Sequence, residues 1–350
     1  MTERFRELPR TFQNPLIAGG ADPWFVKDQD TYYFSHVQHE GPHDSTVYVR
    51  KSRTITGMRT AEAVPAVTVT DRLHPELWAP ELHKLPVKVG REWQQKWYLY
   101  VSAADRSGAH RRVYVYEAQT PDPQGPYREK GKICDLDDHW GIDGTVLRHP
   151  RGNMYFLWSG EAPEVPGQQN LYIAQMQNPW TLTGRGVCIS RPEFAWERVG
   201  PAPVNEGPAP LVRDDRVHVI YAASHSLTDD YCLGRLTLRK DADPLDRDAW
   251  QKAPTPVFCR TDAIFGPGHP SFTTSPDGQQ DFIVYHSARY AGAGWQRQVN
   301  VQPFTWDGDG TPQFGRPVAS GEPLPLPSGE YEVLLQEYGT TKATQLADVR

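Results

Sequence analysis

Short apolar runs, rich in Val, Ile, Tyr, Phe and Trp, recur along the chain in closely spaced pairs. They read TYYFSHV (31–37) with TVYVRKS (46–52), KWYLYVSA (96–103) with RVYVYEA (112–118), and NMYFLWSG (153–160) with NLYIAQM (170–176). RVHVIYAAS (216–224) with YCLGRLTL (231–238), and DFIVYHSA (281–288) with QVNVQPFTW (298–306), complete five pairs. Runs of this length and composition, bounded by Gly, Pro, Asn and Asp, predict strands, and helical spacing is scarce. Ahead of each pair lies a shorter segment of small, apolar and singly charged residues: GGADPWFV, LWAPELHKL, GIDGTVLRH, NEGPAPLVR and GPGHPSFTT. With Asp22, Glu81, Asp143, Glu206 and His269 as markers, the steps between them are 59, 62, 63 and 63 residues. A fourth run closes each unit: AVTVT (66–70), GKICDL (131–136), GRGVCIS (184–190), TPVFCRT (255–261) and PQFGRPV (312–318).

Four strands per period and so regular a spacing predict an all-β fold, a five-bladed β-propeller with four antiparallel strands per blade, rather than two β-sandwiches. The marker segments become the innermost strands. Residues 14–326 form the expected single propeller domain, with an N-terminal extension over 1–13 and a C-terminal tail over 327–350. Antiparallel order then puts the loops joining second and third strands on the face where the innermost strands begin. Those loops carry His36, His39, Arg106, His225, Arg289 and Trp295, and such rims usually carry binding chemistry.

Composition narrows the function. A formal charge of −6 with interspersed signs gives no basic field for a phosphate backbone, so nucleic acid is not an expected partner and a neutral ligand fits better. No apolar run reaches membrane-spanning length, and the first twenty residues lack the apolar stretch of a secretory signal, so the expected location is cytoplasmic, with no membrane partner. Cys134, Cys188, Cys232 and Cys259 include no CxxC pair, and Cys134, Cys188 and Cys259 fall on three different blades, which predicts free thiols. No Gly-rich phosphate loop precedes a helix, so no organic cofactor is expected.

Asp22, Asp143 and Glu206 lie near the beginnings of three innermost strands, beside Ala21, Gly141, Gly144 and Gly207. Carboxylates converging on a narrow axis must meet water, a metal or a substrate, because burial without partners costs several kcal/mol. Paired carboxylates across a wet pocket are the apparatus of glycoside hydrolysis, and a third acid would raise the pKa of the proton donor by its like charge. Trp24, Phe25 and Trp78 are the aromatic candidates for stacking on a sugar ring. His36, His39 and His43 have zinc-like spacing but sit on a strand-to-loop segment, which favours a sugar-binding rim role for His36 over a metal site. Glu81 reads as a structural neighbour of the three acids.

Several motifs carry a family resemblance: ADPWFVKDQDTYYF, LWAPELH, GIDGTVL, NEGPAPL, FGPGHPSFT and RQVNVQPFTWDGDGTPQFG, in that order. Over about Asn14 to Leu326 the chain resembles glycoside hydrolase family 43, and most closely its exo-acting α-L-arabinofuranosidases. The resemblance implies an inverting enzyme that releases terminal α-L-arabinofuranosyl residues from arabinan-derived oligosaccharides. It implies Asp22 as general base, Asp143 as the acid that tunes and orients the proton donor, and Glu206 as general acid. It further implies Arg297 as a contact to the glycosyl unit, and His269 as an axial histidine associated with a calcium or sodium ion. A β-D-xylosidase of the same family and a non-catalytic carbohydrate-binding propeller are the competing expectations. The insert PVKVGREWQ (86–94) lengthens the second blade relative to that family.

Overall fold

A computed structural model describes residues 8–41, 44–68, 76–105 and 107–337, without the side chains of residues 39–44. His43 and Arg106, and the His39 side chain, lie outside the described residues. Five four-stranded antiparallel sheets follow one another in sequence order. Blade 1 comprises Trp24–Asp28, Thr31–Gly41, Asp44–Ser52 and Ala63–Thr68. Blade 2 comprises Trp78–Val89, Glu92–Ala104, Arg111–Ala118 and Tyr127–Ile133, and blade 3 Gly141–Arg148, Met154–Glu161, Gln169–Asn178 and Thr181–Ser190. Blade 4 is Asn205–Arg213, Arg216–Ala223, Cys232–Arg239 and Gln251–Lys252, and blade 5 Phe265–Thr274, Asp281–Ala288, Arg297–Trp306 and Pro312–Gln313. The five innermost strands touch in the order 1–2–3–4–5–1, which closes the ring of a five-bladed β-propeller.

The core is divided into five apolar clusters, one at each interface between neighbouring blades. Leu147, Leu157 and Ile173 of blade 3 meet Val217, Val219 and Leu236 of blade 4, for example. Both faces of a blade are therefore covered, and this is why runs such as DFIVYHSA are apolar at successive positions rather than at alternate ones. Ring closure between blades 5 and 1 uses the chain ends. Thr11–Gln13 pairs with Pro323–Pro325, and the Asn14 side chain donates to Val301 O and accepts from Val301 N. Residues 330–337 are helical, an element that the strand pattern did not predict. The buried Glu330 accepts the backbone N–H groups of Ile55 and Thr56, tying this helix to blade 1.

The outer strands depart from the sequence expectation. In blade 4 the fourth strand is Gln251–Lys252 rather than 255–261, and Phe258 makes only an isolated bridge to Leu233. Pro254 and Pro256 lack the N–H a ladder requires. Blade 5 likewise pairs only Pro312–Gln313 of the expected 312–318, and in blade 2 the strand runs Tyr127–Ile133 rather than 131–136. In blade 1 the strand is Ala63–Thr68, and the last two residues of the expected 66–70 lie outside the described ones. The four cysteines stand unpaired. The 86–94 insert extends the first hairpin of blade 2 as far as the Val89–Glu92 pair.

Candidate active site

One backbone feature repeats in every blade at the start of the innermost strand. Asp22, Ala79, Asp143, Gly207 and His269 all have left-handed φ, between 42° and 55°. In blades 2 to 5 this residue sits within a register shift of the ladder: Trp78/Glu81, Ile142/Thr145, Glu206/Ala209 and Phe265/Gly268/Ser271. A bulge re-aims side chains, and a non-glycine residue held in this region costs roughly 1–3 kcal/mol, so four such residues at one mouth, Asp22, Ala79, Asp143 and His269, point to a built site. Gly207 has a second reason to lack a side chain, because a Cβ there would lie 2.9 Å from the His269 ring. Structural equivalence therefore runs through Ala79 and Gly207, not Glu81 and Glu206. Glu206 stands one residue ahead of the ring position, and Glu81 two residues past it.

The structure brings Asp22, Asp143, Glu206, His269 and Arg297 together. Asp22 Oδ1 lies 3.2 Å from His269 Nδ1, 3.3 Å from His286 Nδ1 and 3.6 Å from Arg297 Nη1. Burial alone would raise the Asp22 pKa, but His269 and Arg297 override it and hold the carboxyl well below the usual range. Asp143 Oδ2 accepts the Gly207 N–H at 3.0 Å, and the Asp143 N–H donates to Ser102 Oγ at 2.9 Å. Burial, then the facing Glu206 and Asp22 carboxylates, push Asp143 well above its ordinary value. Glu206 Oε1 accepts from the Tyr231 hydroxyl at 2.9 Å. Burial pushes the Glu206 carboxyl up to about 7 even though Tyr231 and Arg297 pull the other way. Arg297 is fixed by a 2.9 Å bond from Nη2 to Ser226 O. One acid is thus held ionised and another held protonated within one site, which is how acid–base assignments are separated at neutral pH.

Glu206 is aimed by what lies beneath it. Its neighbour Asn205 donates to the fully buried Glu197 at 2.9 Å, and Glu197 also accepts from Tyr221 OH and from Lys252 Nζ at 3.0 Å. Glu197→Ala leaves Lys252 and four other donors, Asn205, Tyr221 and the Glu193 and Phe194 N–H groups, without their carboxylate. The expected loss is about 3–5 kcal/mol of stability, read as a lowered denaturant midpoint.

The remaining sequence candidates fall elsewhere. Phe25 is buried in the blade 1/blade 5 cluster with its ring 4.8 Å from Phe34, so it is a core residue and not a sugar platform. His36 is also buried, stacked between Phe34 and Tyr48, with Nε2 accepting from Arg50 at 3.2 Å, and burial lowers its pKa to about 4. It is packed inside the blade rather than presented at the rim. Trp78 stays half-buried at the mouth with Arg111 stacked over one face at 3.1 Å. Trp24 packs on His83, and Glu81 bonds His83 Nε2 at 2.8 Å, both held neutral by burial. On the rim, Trp295 is 63% exposed and donates to Ser226. Sequence reading left Tyr231 and His286 without a role, although both lie in quoted runs; for His286 a polar ring inside an otherwise apolar strand was the available signal, whereas Tyr231 stands just ahead of Cys232–Arg239.

The axial ion implied for His269 does not fit the donors present. Calcium takes six to eight oxygen ligands, whereas among the described residues no three His, Cys, Asp or Glu side chains converge as a metal cluster. His269 offers a single imidazole and turns its Nδ1 to Asp22. No chemistry below is routed through a metal.

A closed propeller whose mouth gathers three carboxyls in opposed protonation states defines a glycoside hydrolase. The chain belongs to the glycosyl hydrolases family 43, whose model matches residues 12–312. It is 36% identical over 293 residues to an extracellular exo-α-(1→5)-L-arabinofuranosidase of Streptomyces chartreusis, covering 81% of this chain and 84% of the relative. A namesake from Streptomyces avermitilis is 36% identical over 89% of this chain, which spans only 64% of that longer protein. Among solved structures, an α-L-arabinofuranosidase from Lactobacillus brevis superposes with a TM-score of 0.79 at 35% identity, over 89% of this chain and 98% of the other.

Proposed function

We propose that the protein is an inverting exo-α-L-arabinofuranosidase acting on short arabinan-derived oligosaccharides. The observation that carries the reading is the opposition between Asp22, held ionised by the facing His269 and Arg297, and Glu206, pushed up by burial. In this mechanism Glu206 protonates the departing glycosidic oxygen while Asp22 removes a proton from the attacking water. Arg297, beside Asp22, binds the glycosyl unit, and Asp143 orients the site through its bond from Gly207, the residue next to the acid. The named activities of the Streptomyces and Lactobacillus relatives support arabinose as the terminal sugar. The deciding assay sets p-nitrophenyl α-L-arabinofuranoside beside the β-D-xyloside. Turnover of the arabinoside at least about tenfold faster in kcat/KM, roughly 1.4 kcal/mol of transition-state discrimination, is expected. A preference for the xyloside overturns the substrate, and sugar binding without turnover overturns the activity.

Activity should fall as pH rises through about 7, because the proton donor is lost when Glu206 ionises. Asp143 is itself pushed well above its ordinary value by burial and by the facing carboxylates, so Asp143→Asn removes no standing charge beside Glu206; the alkaline limb of kcat/KM should stay in place while kcat falls about tenfold through lost orientation. A limb moved to lower pH would contradict this and show that an ionised Asp143 raises the Glu206 pKa. Cytoplasmic residence is carried forward as part of the proposal, supported by four unpaired thiols, although two relatives are named extracellular. Cell fractionation tests it, and recovery of the protein outside the cell would contradict it.

A further inference from the structure

Resting on that acid–base reading, we propose that Tyr231 and His286 act as paired positioning residues, a stacked bracket that holds the general acid and the general base in register with each other. The two rings lie parallel, with centroids 5.6 Å apart and 10° between their planes. At one end the Tyr231 hydroxyl donates to Glu206 Oε1 at 2.9 Å. At the other, His286 Nδ1 accepts the Asp22 backbone N–H at 3.1 Å. That bond clamps Asp22 in its left-handed conformation, φ 48°, where an aspartate needs external support. Acid and base come from blades 4 and 1, so no strand pairing sets their separation directly. The bracket supplies the missing connection through blade 5, which contributes His286.

Two details exclude simple packing. Among the described residues, the buried His286 Nε2 has no hydrogen-bond partner. An apolar ring would avoid that cost, so the imidazole is explained by what its other nitrogen does. Tyr231, for its part, occupies space that only a glycine leaves open: a Cβ on Gly268 would fall 2.1 Å from its ring. The inner strand of blade 5 is thus shaped around the phenol. Burial lowers the His286 pKa to about 3, so Nδ1 is an unprotonated acceptor at working pH.

The groups facing Glu206 are Tyr231 from its own blade, Asp143 from blade 3, Asp22 from blade 1 and Arg297 from blade 5, with the His269 ring of blade 5 against the adjoining Gly207. Of these, Tyr231 is the one whose hydroxyl can be deleted while its ring and stack remain. Tyr231→Phe removes a donor to the ionised form of Glu206, so the carboxyl keeps its proton to higher pH. The alkaline limb of kcat/KM should rise by about one unit. Below that limb kcat on substrates with basic leaving groups should fall about tenfold, with KM within about twofold of the parent, because the freed carboxyl is no longer aimed. His286→Phe keeps the stack and removes the acceptor; kcat should drop about a hundredfold with KM retained, and His286→Gln, which restores an acceptor, should recover about tenfold of it.

Asp22→Asn and Glu206→Gln are assayed alongside. If those two retain full activity, the acid–base reading fails and the bracket with it. If they are inactive while folded Tyr231→Phe keeps the parental limb and kcat, the bracket alone is wrong. Should His286→Phe fail to fold, the limb of Tyr231→Phe decides by itself.

Discussion

Asp22→Asn is expected to lower kcat on an α-L-arabinofuranoside by about 10³–10⁴-fold while the protein stays folded. Water needs a base that is ionised at the working pH, and the candidates differ sharply. Asp143 and Glu206 are both pushed up by burial, whereas His269 and Arg297 keep Asp22 charged. Asparagine preserves the side-chain shape and the backbone N–H to His286, so the loss reports the missing base rather than a collapsed loop. Azide should restore little of it, since inversion involves no attack by Asp22 on the sugar. Activity above about a tenth of the parent's would exclude Asp22 as the base, because a general base contributes roughly 10²–10⁴-fold.

Glu206→Gln should divide substrates by their leaving groups. When the departing oxygen is as basic as a sugar hydroxyl, loss of the proton donor is expected to cost about 10³–10⁴-fold; with a p-nitrophenolate leaving group, which departs without protonation, the loss should be far smaller. The alkaline limb near pH 7 should vanish with the carboxyl that produces it. Its direction follows from the sign of the shift: a donor whose pKa is raised is active below that value and is lost above it. Kinetics on a series of aryl arabinosides with graded leaving-group pKa give the comparison, and equal losses across the series would remove Glu206 from the donor role.

The repeat was legible because it is written in local signals. Paired apolar runs, turn residues and a spacing of 59 to 63 residues are all present before folding, and they place Asp22, Asp143, Glu206 and His269 at one end of one axis, while Arg297 comes from the family resemblance. What could not be read depends on tertiary register. The bulges that select Ala79 and Gly207, rather than Glu81 and Glu206, are set by ladders between strands, and no local pattern marks them. Phe25 and His36 were misplaced for a related reason. In a sheet covered on both faces, apolar alternation no longer says which way a side chain points, so a ring near the mouth in sequence can belong to the core. Tyr231 and His286 lie 55 residues apart on separate blades, and only the closed ring makes them neighbours. The outer strands were shifted by prolines whose effect on pairing depends on which edge they occupy.

Inversion at the anomeric carbon is the claim on which the separate roles of Asp22 and Glu206 stand, since an inverting pair is about 6.5–9.5 Å apart with water between and a retaining pair about 5–5.5 Å apart. Following the anomeric protons by NMR during the first minutes of cleavage of an α-L-arabinofuranoside tests it most directly. The β-anomer of arabinose should appear first and the α-anomer only later, by mutarotation. If the α-anomer appears first, the enzyme retains configuration, and Asp22 acts as a nucleophile rather than as a base.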